Sequence, residues 1–164
     1  MNNLEKKLDA LMRYATAKDE QDRISAVQEL KIILELGKEP LYGEMLEREI
    51  QKVMFELNAP DNFLGHQYTV KAIQMVINKP EYIGSITYGI YPRVALEYYT
   101  TPSRVEKRIR DTIEFVFNHA PYEALEKYFG GIVNSEKGKV TNGQFIARLA
   151  NVVKYRLAEK ETNS

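Results

Sequence analysis

Residues 92–117 read PRVALEYYTTPSRVEKRIRDTIEFVF. A helix tolerates proline only in its first turn, so Pro92 and Pro102 each mark a helix start, and Thr100-Thr101 between them reads as a tight turn. The stretch predicts a short helix from Pro92 to about Tyr98, then a longer one from Pro102 to about Asn118. Ala95 is small enough to let the two cross closely. At about 100° per residue, Val105, Ile109, Thr112, Ile113 and Val116 share one side of the longer helix, and Arg104, Lys107, Arg108 and Asp111 share an arc on the opposite side. Thr101 is the expected N-cap, which puts Arg104 and Lys107 in the first two turns. A recognition helix meets base edges with that end.

A charged stripe alone says little, since most amphipathic surface helices carry one. Two features add weight here. The pattern is helix–turn–helix, and four of the chain's 23 basic residues fall between positions 104 and 110. Glu106 has two readings that the spacing leaves open. It can pair with Arg110 one turn on, or it can accept a hydrogen bond from cytosine N4.

Outward from this segment the pattern stays helical. Leu4, Leu8, Leu11 and Ala15 recur as one helix face, and Ile24, Val27, Leu30, Ile33 and Leu34 stripe a second helix from Asp19 with Gly37 as its stop. Leu46, Ile50, Val53, Met54 and Leu57 stripe a third, which starts near Leu41 and is broken by Asn58-Ala59-Pro60-Asp61-Asn62. Val70, Ile73, Val76 and Ile77 stripe a fourth that Asn78-Lys79-Pro80 closes. A short piece holds Ile83, Ile86 and Ile90. Pro121 opens a further helix, expected to end at Gly130-Gly131, and 132–140 reads as a loop or short ribbon. Thr141 with Gln144 three residues on forms a capping box for the last helix. Its buried face is Phe145, Leu149, Val152, Val153 and Leu157. No stretch reads as a strand, and the fold class is all-α.

Composition narrows the function. The 164 residues contain no cysteine, which excludes disulfides, thiolate zinc sites and cysteine nucleophiles. His66 and His119 lack metal-ligand spacing and are expected to be structural. No nucleophile–base pair or glycine-rich phosphate loop is visible, so an enzyme is not expected, and no cofactor is implied. The N-terminus lacks a secretion signal and no apolar run spans a bilayer, so the expected location is cytoplasmic, with no membrane partner. Lys+Arg and Asp+Glu both total 23, but residues 1–58 hold 9 basic and 12 acidic residues while 59–164 hold 14 and 11. The neutral sum therefore hides a basic C-terminal portion.

Thr100-Thr101-Pro102-Ser103-Arg104-Val105-Glu106-Lys107-Arg108-Ile109-Arg110 resembles the recognition helix of the effector-domain family of stage 0 sporulation protein A, the sporulation response regulators. Gly84-Ser85-Ile86-Thr87 with Tyr91-Pro92 is similar to the family's approach to its scaffold helix. Thr141-Asn142-Gly143-Gln144-Phe145-Ile146-Ala147 is similar to the opening of its final helix. The resemblance covers residues 44–157 and implies a six-helix domain that binds double-stranded DNA at a TGTCGAA-like box. It places base reading on Arg104, Glu106 and Lys107. Thr101, Ser103, Arg108, Arg110, Lys137 and Lys139 are the candidate backbone contacts. The family usually has arginine at the position of Lys107, a small residue at that of Arg108 and histidine at that of Asp111, so an altered site preference is expected.

Relatives carry a phospho-acceptor receiver domain ahead of this one. Residues 1–43 are too short for a receiver and read as helices. The expected organisation is a helical extension over 1–43, a candidate homodimer or partner-binding segment, followed by a helix-turn-helix DNA-binding domain over 44–160. The expected function is a sequence-specific transcriptional regulator. The competing reading is a protein-interaction module that sequesters or modulates a full-length regulator through its N-terminal helices.

Overall fold

The computed structural model describes residues 3–36, 43–133 and 140–163. Every element among them is helical: α1 (Asn3–Thr16), α2 (Glu20–Leu36), α3 (Gly43–Glu56), α4 (Leu64–Asn78), α5 (Tyr91–Glu97), α6 (Pro102–His119), α7 (Tyr122–Val133) and α8 (Asn142–Thr162). A 3-10 segment over Pro80–Ser85 and a π-helical turn over Ile86–Ile90 join α4 to α5. The chain divides into two compact units, residues 1–39 and 40–164. The expected stop at Gly37 lies outside the described residues.

In the first unit α1 and α2 pair as a hairpin. The Asp19 side chain accepts a hydrogen bond from the Asp22 amide (2.8 Å) and so caps α2. Arg13 links the helices through Glu29. Of the expected stripes, Ile33 is buried and Leu30 half-buried, but most of the others are not. Ala10, Ala26 and Ile33 are buried, whereas Leu8, Leu11, Ile24, Val27 and Leu34 are exposed, as is Ala15. Ala10 lies about 160° around α1 from Leu8, so the stripe at helical spacing points away from α2.

The second unit is built around α4, which packs against α3, α5, α6 and α8. Its buried residues run around the whole helix, from Gly65 and His66 through Tyr68, Ala72 and Ile73 to Ile77. A helix apolar on all sides is what a central position demands. The stripes expected on α3 and α6 are buried, as are Phe145, Leu149, Val153 and Leu157 on α8, with Val152 half-buried beside them. Phe129 of α7 stacks on Phe145 with ring centroids 5.2 Å apart.

Helix ends follow local chemistry, with two departures. Asn58 ends α3 in the left-handed region (φ 51), and the Ala59 amide reaches back to the Met54 carbonyl at 3.0 Å, the Schellman arrangement. Thr141 and Gln144 form both bonds of the capping box. Gly130-Gly131, however, does not stop α7, which continues to Val133 and so takes in the start of the expected loop. Packing of Tyr128 and Phe129 into the core outweighs the modest helix penalty of two glycines. The short piece holding Ile83, Ile86 and Ile90 proves to be the 3-10 and π turns, with only Ile90 of the three fully buried.

Carboxylates of α3 tie down the C-terminal helix. Arg156 of α8 donates to both oxygens of Glu56 at 3.0 and 3.2 Å, Lys127 adds a bond at 3.3 Å, and the Tyr128 hydroxyl donates to the same carboxylate. The Arg156 bond, joined by those from Tyr128 and Lys127, overcomes partial burial and holds the Glu56 carboxyl down at about 2. Burial pushes Glu49 up, but the hydrogen bond from Lys160 and the charges of Lys160, Lys52 and Arg156 outweigh it and leave that carboxyl below its usual range.

Candidate nucleic-acid interface

The helix–turn–helix forms as its sequence demands. Pro92 sits in the first turn of α5, and Tyr91, Val94 and Ala95 are its buried face. The turn is again a Schellman arrangement, with the Thr100 amide bonded to the Ala95 carbonyl at 2.9 Å. Tyr99 occupies the left-handed position of that turn (φ 53), where glycine is the usual residue. Thr101 is extended, accepts a hydrogen bond from the Arg104 amide at 3.4 Å and caps α6, with Pro102 in the first turn.

Three contacts fix how α6 sits. Val105, Ile109, Thr112, Ile113 and Val116 are buried beneath it. Gly65 of α4 meets its backbone at Arg108, where no side chain larger than hydrogen fits. Asn142, buried at the first position of α8, donates to the Tyr91 hydroxyl (3.0 Å) and to the Glu106 carbonyl (3.1 Å). One amide group thus joins α5, α6 and α8. Burial pushes the Tyr91 hydroxyl above its ordinary range, partly countered by the Asn142 bond. Phe115 is wedged between Phe63 (5.5 Å) and His119 (4.0 Å) at the far end of α6.

Arg104, Lys107 and Arg108 are exposed on the outer side of α6, and Asp111 is half-exposed between them. Among the described residues these three cations have no side-chain hydrogen bond or ion pair, whereas Lys71, Lys127, Arg156 and Lys160 are all paired with carboxylates. Ser103 is exposed in the first turn. Glu106 lies on a flank of the helix, paired with Arg110 at 2.7 Å. Both line a groove of about 1000 Å³ with Ile86, Tyr91, Ile113 and Asn142. The structure therefore gathers Arg104, Lys107 and Arg108 on one surface and sets Glu106 and Arg110 beside it. Lys137 and Lys139 lie outside the described residues. Arg148 uses its Nε to bond the Tyr128 carbonyl at 2.6 Å.

Residues 50–153 match the family described as Sporulation initiation factor Spo0A C terminal, which takes in α5, the turn, the whole of α6 and the start of α8. The chain belongs to this family. It is a family of helical DNA-binding domains of transcription regulation in sporulation, and the all-helical second unit agrees with it. Among the described residues no helix is long and apolar enough to cross a membrane, and no cluster of His, Asp and Glu has the makings of a metal site.

Gly65, Tyr91, Tyr99 and Asn142 position the interface and are not marked by pattern. The one local signal is a glycine in the first turn of α4, which hints at a close backbone approach.

Proposed function

We propose that the chain is a sequence-specific regulator that lays α6 in the major groove of double-stranded DNA and reads a TGTCGAA-like box. The observation that carries this reading is the set of three exposed cations, Arg104, Lys107 and Arg108, without a side-chain partner on the first half of a capped helix. A row of phosphates and guanines supplies acceptors for all three.

In this reading Arg104 donates two parallel hydrogen bonds to a guanine, a contact worth about 1–3 kcal/mol of discrimination. Lys107 offers a point charge to a second base edge. Glu106 commits one oxygen to Arg110, and its other oxygen is open to a cytosine N4 amine. Arg108 and Arg110 take phosphates, and Thr101, Ser103 and the α6 N-terminus approach the backbone. Lys137 and Lys139, ahead of α8 in the sequence, are further candidate backbone contacts.

Fluorescence anisotropy on a duplex carrying the box and on a scrambled duplex, over a series of salt concentrations, tests it. The expected result is tighter binding to the box and a log–log salt slope of about −0.9 per phosphate neutralised. Equal, weak binding to both duplexes overturns the reading.

A further inference from the structure

The apolar residues of the α1–α2 hairpin are arranged for something other than each other. Leu8, Leu11 and Met12 are 58%, 48% and 59% exposed, and on α2 Ile24, Val27 and Leu34 are 41%, 49% and 50% exposed. Leu4, Leu8, Leu11 and Ala15 follow the alternating four- and three-residue spacing of a coiled-coil seam. Among the described residues of the hairpin, Ala10, Ala26 and Ile33 are buried and Leu30 and Ile32 half-buried. Helical segments spanning 3–36 fall below the roughly 40 residues at which a domain usually stands without a staple or a partner, and the chain has no cysteine to supply a disulfide.

We propose that this hairpin is a self-association surface, covered by the hairpin of a second copy of the same chain to give a four-helix bundle. Three observations select a second copy. A two-fold interface places one patch against itself, and an uncharged seam of leucines is complementary to its own copy. Residues 1–39 hold 7 basic and 8 acidic residues, so almost no net charge opposes the pairing. The second unit has a core of its own, assembled from residues 46–157. Pairing two hairpins buries both seams in the geometry of short-looped helical bundles.

The test needs no DNA, so its outcome is separate from that of the DNA-binding reading. Sedimentation or light scattering on the full chain across a dilution series is expected to show a mass of about twice 19.0 kDa that falls towards one chain on dilution. The double variant Leu8→Lys/Leu11→Lys is expected to remain a monomer throughout. Because the lysines can also unfold the hairpin, a second pair of variants keeps the seam uncharged. Leu11→Cys introduces a sole thiol into the chain, and under mild oxidation it should give a covalent dimer. Ser25→Cys, exposed on the side of α2 away from its apolar stripe, should not. A wild-type monomer at every concentration overturns the proposal. So does an unchanged mass in the lysine variant, or equal cross-linking at positions 11 and 25. A monomer in which the thiol of the Leu11→Cys variant is shielded from reagents also overturns it, in favour of cover by another part of the same chain.

Discussion

Gly65 of α4 and Arg108 of α6 touch through their backbones: a β-carbon on residue 65 would stand 2.0 Å from the Arg108 carbonyl oxygen and 2.2 Å from the Thr112 hydroxyl oxygen. Arg108 is one of the three unpaired cations of α6, so the contact that forbids a side chain on α4 also sets the height of the basic surface. Gly65→Ala must push the two helices apart. The expected cost is at least the ~1–3 kcal/mol of an overpacked core, read by urea unfolding, with a loss of DNA affinity beyond what the stability change explains. An alanine variant of unchanged stability would show that α4 and α6 do not approach this closely.

Asn142 makes a different kind of joint. Asn142→Ala removes the amide that donates to the buried Tyr91 hydroxyl and to the part-buried Glu106 carbonyl. The expected loss is about 1–3 kcal/mol. Amide hydrogen exchange in the first half of α6 should accelerate, because that half loses its tie to α8. Uniform acceleration over all helices would indicate general destabilisation instead.

Tyr99 holds a left-handed conformation with its ring largely exposed. That conformation costs an ordinary residue about 1–2 kcal/mol, and glycine recovers most of it less its own chain entropy of about 0.5–1 kcal/mol. Tyr99→Gly is therefore expected to raise unfolding stability by up to ~1 kcal/mol. A clear loss in thermal melts would mean that the interactions of the Tyr99 side chain outweigh the backbone strain.

The cations of α6 should separate by role. Arg104→Ala is expected to cost about 1–3 kcal/mol and to erase preference at one base pair. Arg108→Ala should weaken all duplexes alike and make the salt slope shallower by about one unit. Competition assays with single-base variants of the box distinguish the two outcomes.

Acid should act through Glu56. Its folded-state carboxyl titrates at about 2 against an ordinary 4.5, held down first by Arg156. A depressed acid contributes its full stability above the unfolded value and loses it as pH falls through the folded one. Glu56→Gln should thus lower the melting temperature most above pH 4.5 and progressively less as pH approaches 2. Carbon-detected NMR of the carboxyl group gives the midpoint directly, and a midpoint near 4.5 would remove the argument.

Much of the second unit is legible because its signals are local. Pro92, Thr101-Pro102 and Thr141 with Gln144 announce helix starts within a few residues, and the apolar spacing of α3 and α6 gives their inner faces. The unread parts depend on distant partners. Asn142 meets Glu106 across 36 positions and Arg156 meets Glu56 across 100, separations that no helical period encodes. Gly130-Gly131 reads as a stop, yet propensity is weaker than the packing of the neighbouring aromatics. In the hairpin the spacing of Leu8 and Leu11 reveals an apolar face, but spacing cannot say which surface that face meets. The proposed base-reading set comes through the family resemblance, and only the outward stripe of cations is visible from periodicity.

Pairing of other basic groups has an effect on encounter. Arg156, Lys160, Lys127 and Lys71 spend their charge on Glu56, Glu49 and Glu97, so at long range they contribute little field. The outer side of α6 keeps three cations, Arg104, Lys107 and Arg108, around the single carboxylate of Asp111. A chain of zero formal charge thus presents a local positive patch on α6, which attracts a polyanion before contact. Added salt would then slow the approach as well as loosen the complex.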